Sequence, residues 1–312
     1  MYEFNKINKN SYLKITSLSK KSFGINRELS RVEKKYDTSL FGKKVIGIMA
    51  KTKEDDSAAL YVVFPIQLCY QDKKILVAQS GDTMTSPDHQ RKGLFSKSAK
   101  LTFELAEQEG VKAIFGFPNK KSYPGLKNKL NWVFYGSMKK FTLRGSFLPL
   151  SEFFYRYRTF SPIYCKYSSF RIKKYSLDLT NENIKGFDEN LSEGYVTKDL
   201  NYFNYKLRDE GSHLIVINGF KILIKTEAHL KIGVAAYFEE SQLNNFLNAI
   251  KLVGKKMGCR KVELIMSKNH WLYDYLQKNE ISKESLPIGF YIIDKAINPA
   301  SIEFTQSDFD TF

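Results

Sequence analysis

The chain has 312 residues, 43% of them hydrophobic, and a formal charge of +16 from 49 basic and 33 acidic side chains. That length suits about two domains, and the mixture of apolar and charged residues excludes a disordered chain. There is no run of about 20 apolar residues, the first residues lack the apolar core of a secretory signal, and Cys69, Cys165 and Cys259 are too scattered for a disulfide framework or a metal cluster, so a reducing cytoplasm is expected.

In chain order, residues 1–7 read as a short strand, 11–23 and 30–36 as helices, and 44–51, 58–70 and 75–85 as strands. Asp55-Asp56-Ser57 and Gln71-Asp72-Lys73-Lys74 are the turns between those strands. Leu94, Ser98, Leu101 and Leu105 recur at helical spacing, with Phe95, Ala99, Thr102 and Ala106 beside them, which predicts a helix over 94–108 capped by Gly110. A buried strand at 113–117 runs into Pro118-Asn119, followed by a helix at 123–130 and a strand at 132–143.

Residues 139–174 differ in texture: they interleave nine lysines and arginines with aromatics, and Glu152 is their only acid. They are expected to form a partly helical connector packed between two domains. Strands at 211–225 and 229–238, a helix at 240–256, a strand at 261–266, a helix at 270–278 and a strand at 289–294 then repeat the element order of the first half without a residue-level repeat.

Between the strand 75–85 and the helix 94–108 lies Asp88-His89-Gln90-Arg91-Lys92-Gly93-Leu94-Phe95. A basic, glycine-containing turn that opens a helix suits a phosphate, because free backbone N–H groups and the positive end of the helix dipole face the same point. Gly93 lets the backbone approach closely. His89 is expected to be solvated or phosphate-facing rather than catalytic. His213, His229 and His270 show no metal-ligand spacing, and no metal is expected.

This arrangement resembles the GNAT superfamily of acyl-CoA-dependent N-acyltransferases. Gln90-Arg91-Lys92-Gly93-Leu94-Phe95 stands in place of the family's Q/R-x-x-G-x-G/A, with Phe95 at the second glycine. Asn119 and the helix closing on Leu130-Asn131-Trp132 complete the resemblance over residues 1 to about 145. It implies an α/β (α+β) fold of two tandem GNAT-like domains, each a mixed, mostly antiparallel sheet flanked by helices. The domains would be 1–145 for acyl-CoA, 146–176 as basic, aromatic connector and 177–312 as a degenerate copy shaping the acceptor site.

The resemblance also implies site residues. The amides of Gln90, Arg91, Lys92, Gly93, Leu94 and Phe95 would hold the CoA pyrophosphate, with Arg91 or Lys92 adding charge. The pantetheine would lie along Asp82, Thr83, Met84 and Thr85, and Asn119 would reach it. Amine attack on a thioester needs proton removal, an oxyanion donor and a proton for the leaving thiolate. A backbone amide of Met84 or Thr85 would serve the oxyanion. Asp82 is the candidate base, or else a turn carboxylate. Relatives carry a tyrosine acid where an ungapped alignment puts Leu126 here, and Tyr123 is the nearest substitute, unless the thiolate leaves without a protein acid.

At the matching turn of the second half, Glu239 and Glu240 stand where a phosphate would sit, so one acyl-CoA site per chain is expected. Asn201–Lys206 and the ending Phe304–Asp310 resemble segments of sugar-nucleotide N-acyltransferases from bacterial surface-polysaccharide pathways. That subgroup implies transfer of an acetyl or short hydroxyacyl group such as 3-hydroxybutanoyl to the amine of a dTDP-linked 3-amino-3,6-dideoxyhexose or a 4-amino counterpart. Tyr155, Arg156, Tyr157, Arg158, Tyr202 and Arg208 are the candidate acceptor contacts, the aromatics stacking the base and the cations meeting the diphosphate. The alternatives are another amine, such as a peptidoglycan precursor or a polyamine, and a non-enzymatic nucleic-acid binder.

Overall fold

A computed structural model describes residues 1–157, 160–188 and 192–312. The chain divides into two compact units, Met1–Gly136 with Pro287–Ala300, and Ser137–Leu286 with Ser301–Phe312. These bounds correct the continuous division expected from the sequence. A sheet is completed by whichever strand pairs with its edge, and hydrophobic periodicity does not say which strand that is.

In the first unit, β1 (Glu3–Lys6), β2 (Ile46–Lys51), β3 (Ser57–Tyr70) and β4 (Lys73–Thr85) pair antiparallel in sequence order. Then β5 (Ala113–Gly116) joins β4 in parallel. Residues 289–292, far along the chain, close the sheet antiparallel to β5. Helices α1 (Tyr12–Phe23) and α2 (Leu29–Tyr36) pack over Leu60, Val62 and Phe64, whereas α3 (Leu94–Gln108) packs over Tyr61 and Val63. Alternate residues of β3 therefore face two cores, which is why that strand is apolar nearly throughout. A short α4 (Tyr123–Lys129) follows β5, and β6 (Val133–Arg144) leaves the unit at Gly136, whose φ is +83°.

The second unit begins with the rest of β6, then α5 (Leu150–Arg156), α6 (Ser161–Ile172), α7 (Asn181–Ile184), β7 (Gly194–Val196) and α8 (Leu200–Lys206). Next come β8 (Ser212–Ile217), β9 (Phe220–Thr226), β10 (Leu230–Ala235), α9 (Leu243–Lys256), β11 (Lys261–Met266), α10 (Tyr273–Asn279), β12 (Ser282–Ile292) and β13 (Ile302–Glu303). Its sheet runs β8-β9-β10-β11-β6, with β10 and β11 parallel and the other pairs antiparallel. This repeats the first unit's topology with the closing strands exchanged: β6 closes the second sheet and the end of β12 closes the first. The expected strand 211–225 is instead a hairpin, turning at Asn218 and Gly219 with φ of +49° and +86°. Two left-handed residues are what a two-residue hairpin turn requires.

The stretch expected as a connector belongs to the second unit. Tyr164 and Ile172 of α6 are fully buried in its core, beside Phe246 and Ile250 of α9. No helix among the described residues is long and apolar enough to cross a membrane.

Candidate active site

The phosphate-type turn is built where β4 gives way to α3. Ser86 N–H donates to the Ala58 carbonyl (2.9 Å), and a single 3-10 turn over Pro87–His89 follows. Arg91 and Gly93 both take left-handed backbone (φ +61° and +73°). Among the described residues, no backbone carbonyl accepts from the amides of Arg91 to Ser96, and α3 has no capping side chain and no acid in its first turn. Exposed successive amides with alternating backbone sign form an anion-binding concavity, here placed on a helix N-terminus. A Cβ on Gly93 would meet nothing within 4 Å, so glycine is needed there for its positive φ, and the space above it is open. Arg91 and Lys92 are exposed beside it, with Lys92 Nζ on the Asp88 carbonyl (3.0 Å). Gln90 differs from expectation, since its N–H already donates to Pro87 (3.3 Å).

Leu94 is buried in the core, and the Phe95 ring packs edge-on to Tyr61 at 5.8 Å. The bulky residue at the second glycine position thus packs on the core side, and among the described residues no backbone carbonyl accepts from its amide. His89 faces neither solvent alone nor the anion site: Tyr2 OH lies 2.9 Å from its Nδ1, and Asp56 is 4.0 Å from Nε2.

Pairing between β4 and β5 is made at Ala78–Ile114 and Gln79–Phe115. Beyond it, β4 continues to Thr85 paired, among the described residues, with β3 alone, while the chain leaves β5 through Phe117 and Pro118. The strands therefore part next to the anion turn, leaving a free edge over residues 80–85 to which an extended group can pair. A bulge sits in that edge, because Asp82 and Thr83 together oppose Tyr61. Met84 is buried, so only its backbone can face a ligand, whereas Thr83 and Thr85 are half-buried.

The structure corrects the base role expected of Asp82. Its carboxylate is buried and receives Arg27 Nη1 (2.8 Å), Lys35 Nζ (3.0 Å) and Tyr36 OH (3.0 Å). Burial alone would raise its pKa, but the Lys35 and Arg27 charges and their hydrogen bonds outweigh that and hold it at about 2. A carboxylate so held is a poor proton acceptor near neutrality. It fixes the left-handed bulge (φ +43°) and ties α2 to β4. Nothing near Asp82 in sequence signals these partners; Tyr36 and Lys35 lie at the end of an amphipathic helix, the one hint available.

Asn119 Oδ1 accepts from the amides of Lys121 (2.9 Å) and Ser122 (3.1 Å), which shapes the entry to α4. Its side-chain amide nitrogen is the part left for a ligand. Tyr123 is half-buried, its ring 4.4 Å from that of Phe134, and its hydroxyl has no hydrogen-bond partner among the described residues. Leu126 is buried in the core.

In the second unit the equivalent notch is filled by the chain itself. Pairing of β10 and β11 ends at Ile232–Leu264, and a bulge follows at Gly233. Thr305 bridges Met266, the Gln306 side-chain amide reaches within 3.3 and 3.1 Å of the Ile232 and Glu263 carbonyls, and the Phe312 ring covers Gly233. At the turn before α9, the amides of Ala236 and Tyr237 are already taken by Lys221 and Gly186 (3.0 and 2.8 Å). Glu239 and Glu240 are exposed there. The C-terminal segment is held by an ion pair of Lys198 with Asp308, by Tyr202 OH on Asp308 Oδ1 (3.1 Å) and by Lys206 Nζ on the Phe309 carbonyl (2.8 Å). Burial pushes Lys206 down to about 7, Glu303 up to about 8 and His270 down to about 3.

These contacts correct two of the six acceptor candidates. Tyr202 is fully buried, and Tyr155 is half-buried with its hydroxyl on the Thr226 carbonyl (3.2 Å), so neither ring offers a face to a nucleobase. Arg156 and Tyr157 are exposed, and the Arg208 guanidinium lies 5.7 Å from the Tyr205 ring. Arg158 lies outside the described residues. His213 and His270 are packed in the second unit, and among the described residues no group of His, Cys, Asp and Glu is arranged to hold a metal ion.

Residues 3–134 match the acetyltransferase (GNAT) domain family. No curated protein matches the chain by sequence. Among solved structures, a GCN5-related N-acetyltransferase from Kribbella flavida is similar over 94% of this chain and 71% of its own, with a TM-score of 0.63 and 12% identity. Saccharomyces cerevisiae N-myristoyltransferase with bound myristoyl-CoA is similar over 96% and 86%, at 0.56 and 11%. The glucosamine N-acetyltransferase region of a fungal multi-domain β-N-acetylglucosaminidase is similar over 93% and 38%, at 0.56 and 12%. Such low identities show a shared fold. The family match adds that residues 3–134, within the first unit, are similar to a GNAT acetyltransferase domain.

Proposed function

We propose that the chain transfers a short acyl group from acyl-CoA directly to the amine of a nucleotide-linked amino sugar. The observation that carries the acyl-CoA part is the unpaired run of amides from Arg91 to Ser96, set beside the free edge of β4. The residues present fit the co-substrate: those amides with Arg91 and Lys92 would hold the pyrophosphate, and residues 83–85 with Asn119 would hold the extended arm. Acyl-CoA supplies the thioester. A backbone amide of Met84 or Thr85 would receive the charge that develops on its carbonyl oxygen. Tyr123 is the proposed proton donor. Asp82 acts through the bulge it fixes, and the amine's proton passes to water.

The amino-sugar acceptor rests on the likeness of 201–206 and 304–310 to sugar-nucleotide acyltransferases. A structural neighbour described as a glucosamine N-acetyltransferase supports it. Arg156, Tyr157 and Arg208 remain as proposed acceptor contacts. A different amine is the alternative, because 304–310 fills the second unit's notch and 201–206 holds it there.

Thiol release measured with a panel of acyl-CoAs against dTDP- and UDP-amino sugars, with polyamines as the comparison, tests this reading. Turnover is expected with at least one nucleotide-linked amino sugar. Turnover with polyamines alone would replace the acceptor, and none with any pair would overturn the enzyme.

A further inference from the structure

Helix α6 is apolar on two faces. Tyr164, Ser168 and Ile172, spaced four apart, are buried against the second unit's core. Ile163, Tyr167 and Phe170 form a separate outward stripe, 54%, 40% and 77% exposed. In α5, Leu150 and Phe153 face outward with the same helical spacing, and Phe147 and Leu148 just before it are also exposed. One face satisfies the core, so the second is unexplained by folding, and apolar surface concentrated in this way marks an interaction site.

The charged side chains of α5 and α6 are cations with one exception, Glu152. Lys166, Arg171, Lys173 and Lys174 are exposed on and after α6. Glu152, the sole acid of residues 139–174, stands 3.5 Å from His229 Nε2. We infer that the outward face of α5 and α6 binds an anionic lipid bilayer, lying in its interface. Phenylalanine, leucine and isoleucine enter the acyl boundary while lysine and arginine meet the headgroups. A second copy would oppose this face with the same positive charge. Single-stranded nucleic acid would match the charge and the rings, yet gives Leu148, Leu150 and Ile163 nothing to stack on.

Co-sedimentation of the full chain with vesicles tests this, using phosphatidylglycerol with phosphatidylcholine in equal parts against phosphatidylcholine alone. Binding is expected to be at least about tenfold tighter on the anionic vesicles and to weaken with added salt. Phe147→Ser/Phe153→Ser/Phe170→Ser should lose about tenfold or more in vesicle affinity while melting temperature and acyl-CoA binding stay unchanged. Lys166→Gln/Arg171→Gln should weaken binding to the anionic vesicles alone. The proposal is overturned by equal or absent binding to the two vesicles. It is also overturned if the triple variant only turns a dimer into a monomer, or if the face holds an oligonucleotide but no vesicle.

Discussion

A Cβ built on Gly125 would lie 2.8 Å from Cε1 of Phe95. The bulky residue at the second glycine position of the anion turn is thus matched by the absence of a side chain on α4. Gly125→Ala should cost about 1–3 kcal/mol, the usual result of overpacking. Phe95→Leu should recover part of that loss in the double variant, although each change alone destabilises. A double-mutant cycle in urea measures it, and additive effects would mean that the two positions are not coupled.

Asp82 is expected to matter for stability more than for proton transfer. Asp82→Asn leaves the Arg27 and Lys35 charges without their buried partner, a loss of about 3–5 kcal/mol. Its pKa is lowered from 3.8 to about 2. The stabilisation is therefore complete above the unfolded value and is lost as pH falls through the interval down to the folded one, worth about 2 kcal/mol. Urea unfolding across that interval should show a slope that Asp82→Asn removes. An inflection in kcat/KM that vanishes with the same variant would restore the base role.

Tyr202→Phe should lower stability by about 1–2 kcal/mol through the lost bond to Asp308, with KM for the amine unchanged. Arg156→Ala should do the reverse, raising the amine's KM with little effect on melting. Thermal unfolding and steady-state kinetics on the two variants separate the roles.

Glu303 keeps its proton in the folded protein up to about 8, against an ordinary 4.5. Between those values the folded state binds the proton and the unfolded state releases it, so this group makes stability fall as pH rises. Lys206, lowered from 10.5 to about 7, acts in the opposite direction only above its folded value. Between about pH 5 and about pH 7 His270, which burial holds down to about 3, also acts in the opposite direction, so Glu303→Gln is compared with the parent chain over that interval and should remove about 2 kcal/mol of the downward pH dependence. An unchanged pH dependence in the variant would mean that Glu303 is ionised in the fold.

Local signals in the sequence carried far. The periodicity of Leu94, Leu101 and Leu105 marks α3 to its last residue, and Gly93 marks the turn before it. The hairpin at Asn218-Gly219 was also legible, since Asn-Gly between apolar runs is a strong turn signal, but the long apolar run of 211–225 concealed it. What depends on distant pairing was not. The triple hold on Asp82 comes from residues 46 to 55 positions away, and nothing in 304–312 says that the segment fills a notch beside β10. Tyr155 and Tyr202 looked like stacking rings because burial is a property of the fold and not of the residue type.

Calorimetric titration of acetyl-CoA into the chain tests the central claim most directly. One molecule should bind per chain, and Gly93→Val, which forces a β-branched residue to a φ of +73° in open space, should weaken it by about tenfold or more without lowering the melting temperature comparably. Unchanged affinity in that variant, or two molecules bound per chain, would contradict the assignment of the co-substrate to this turn.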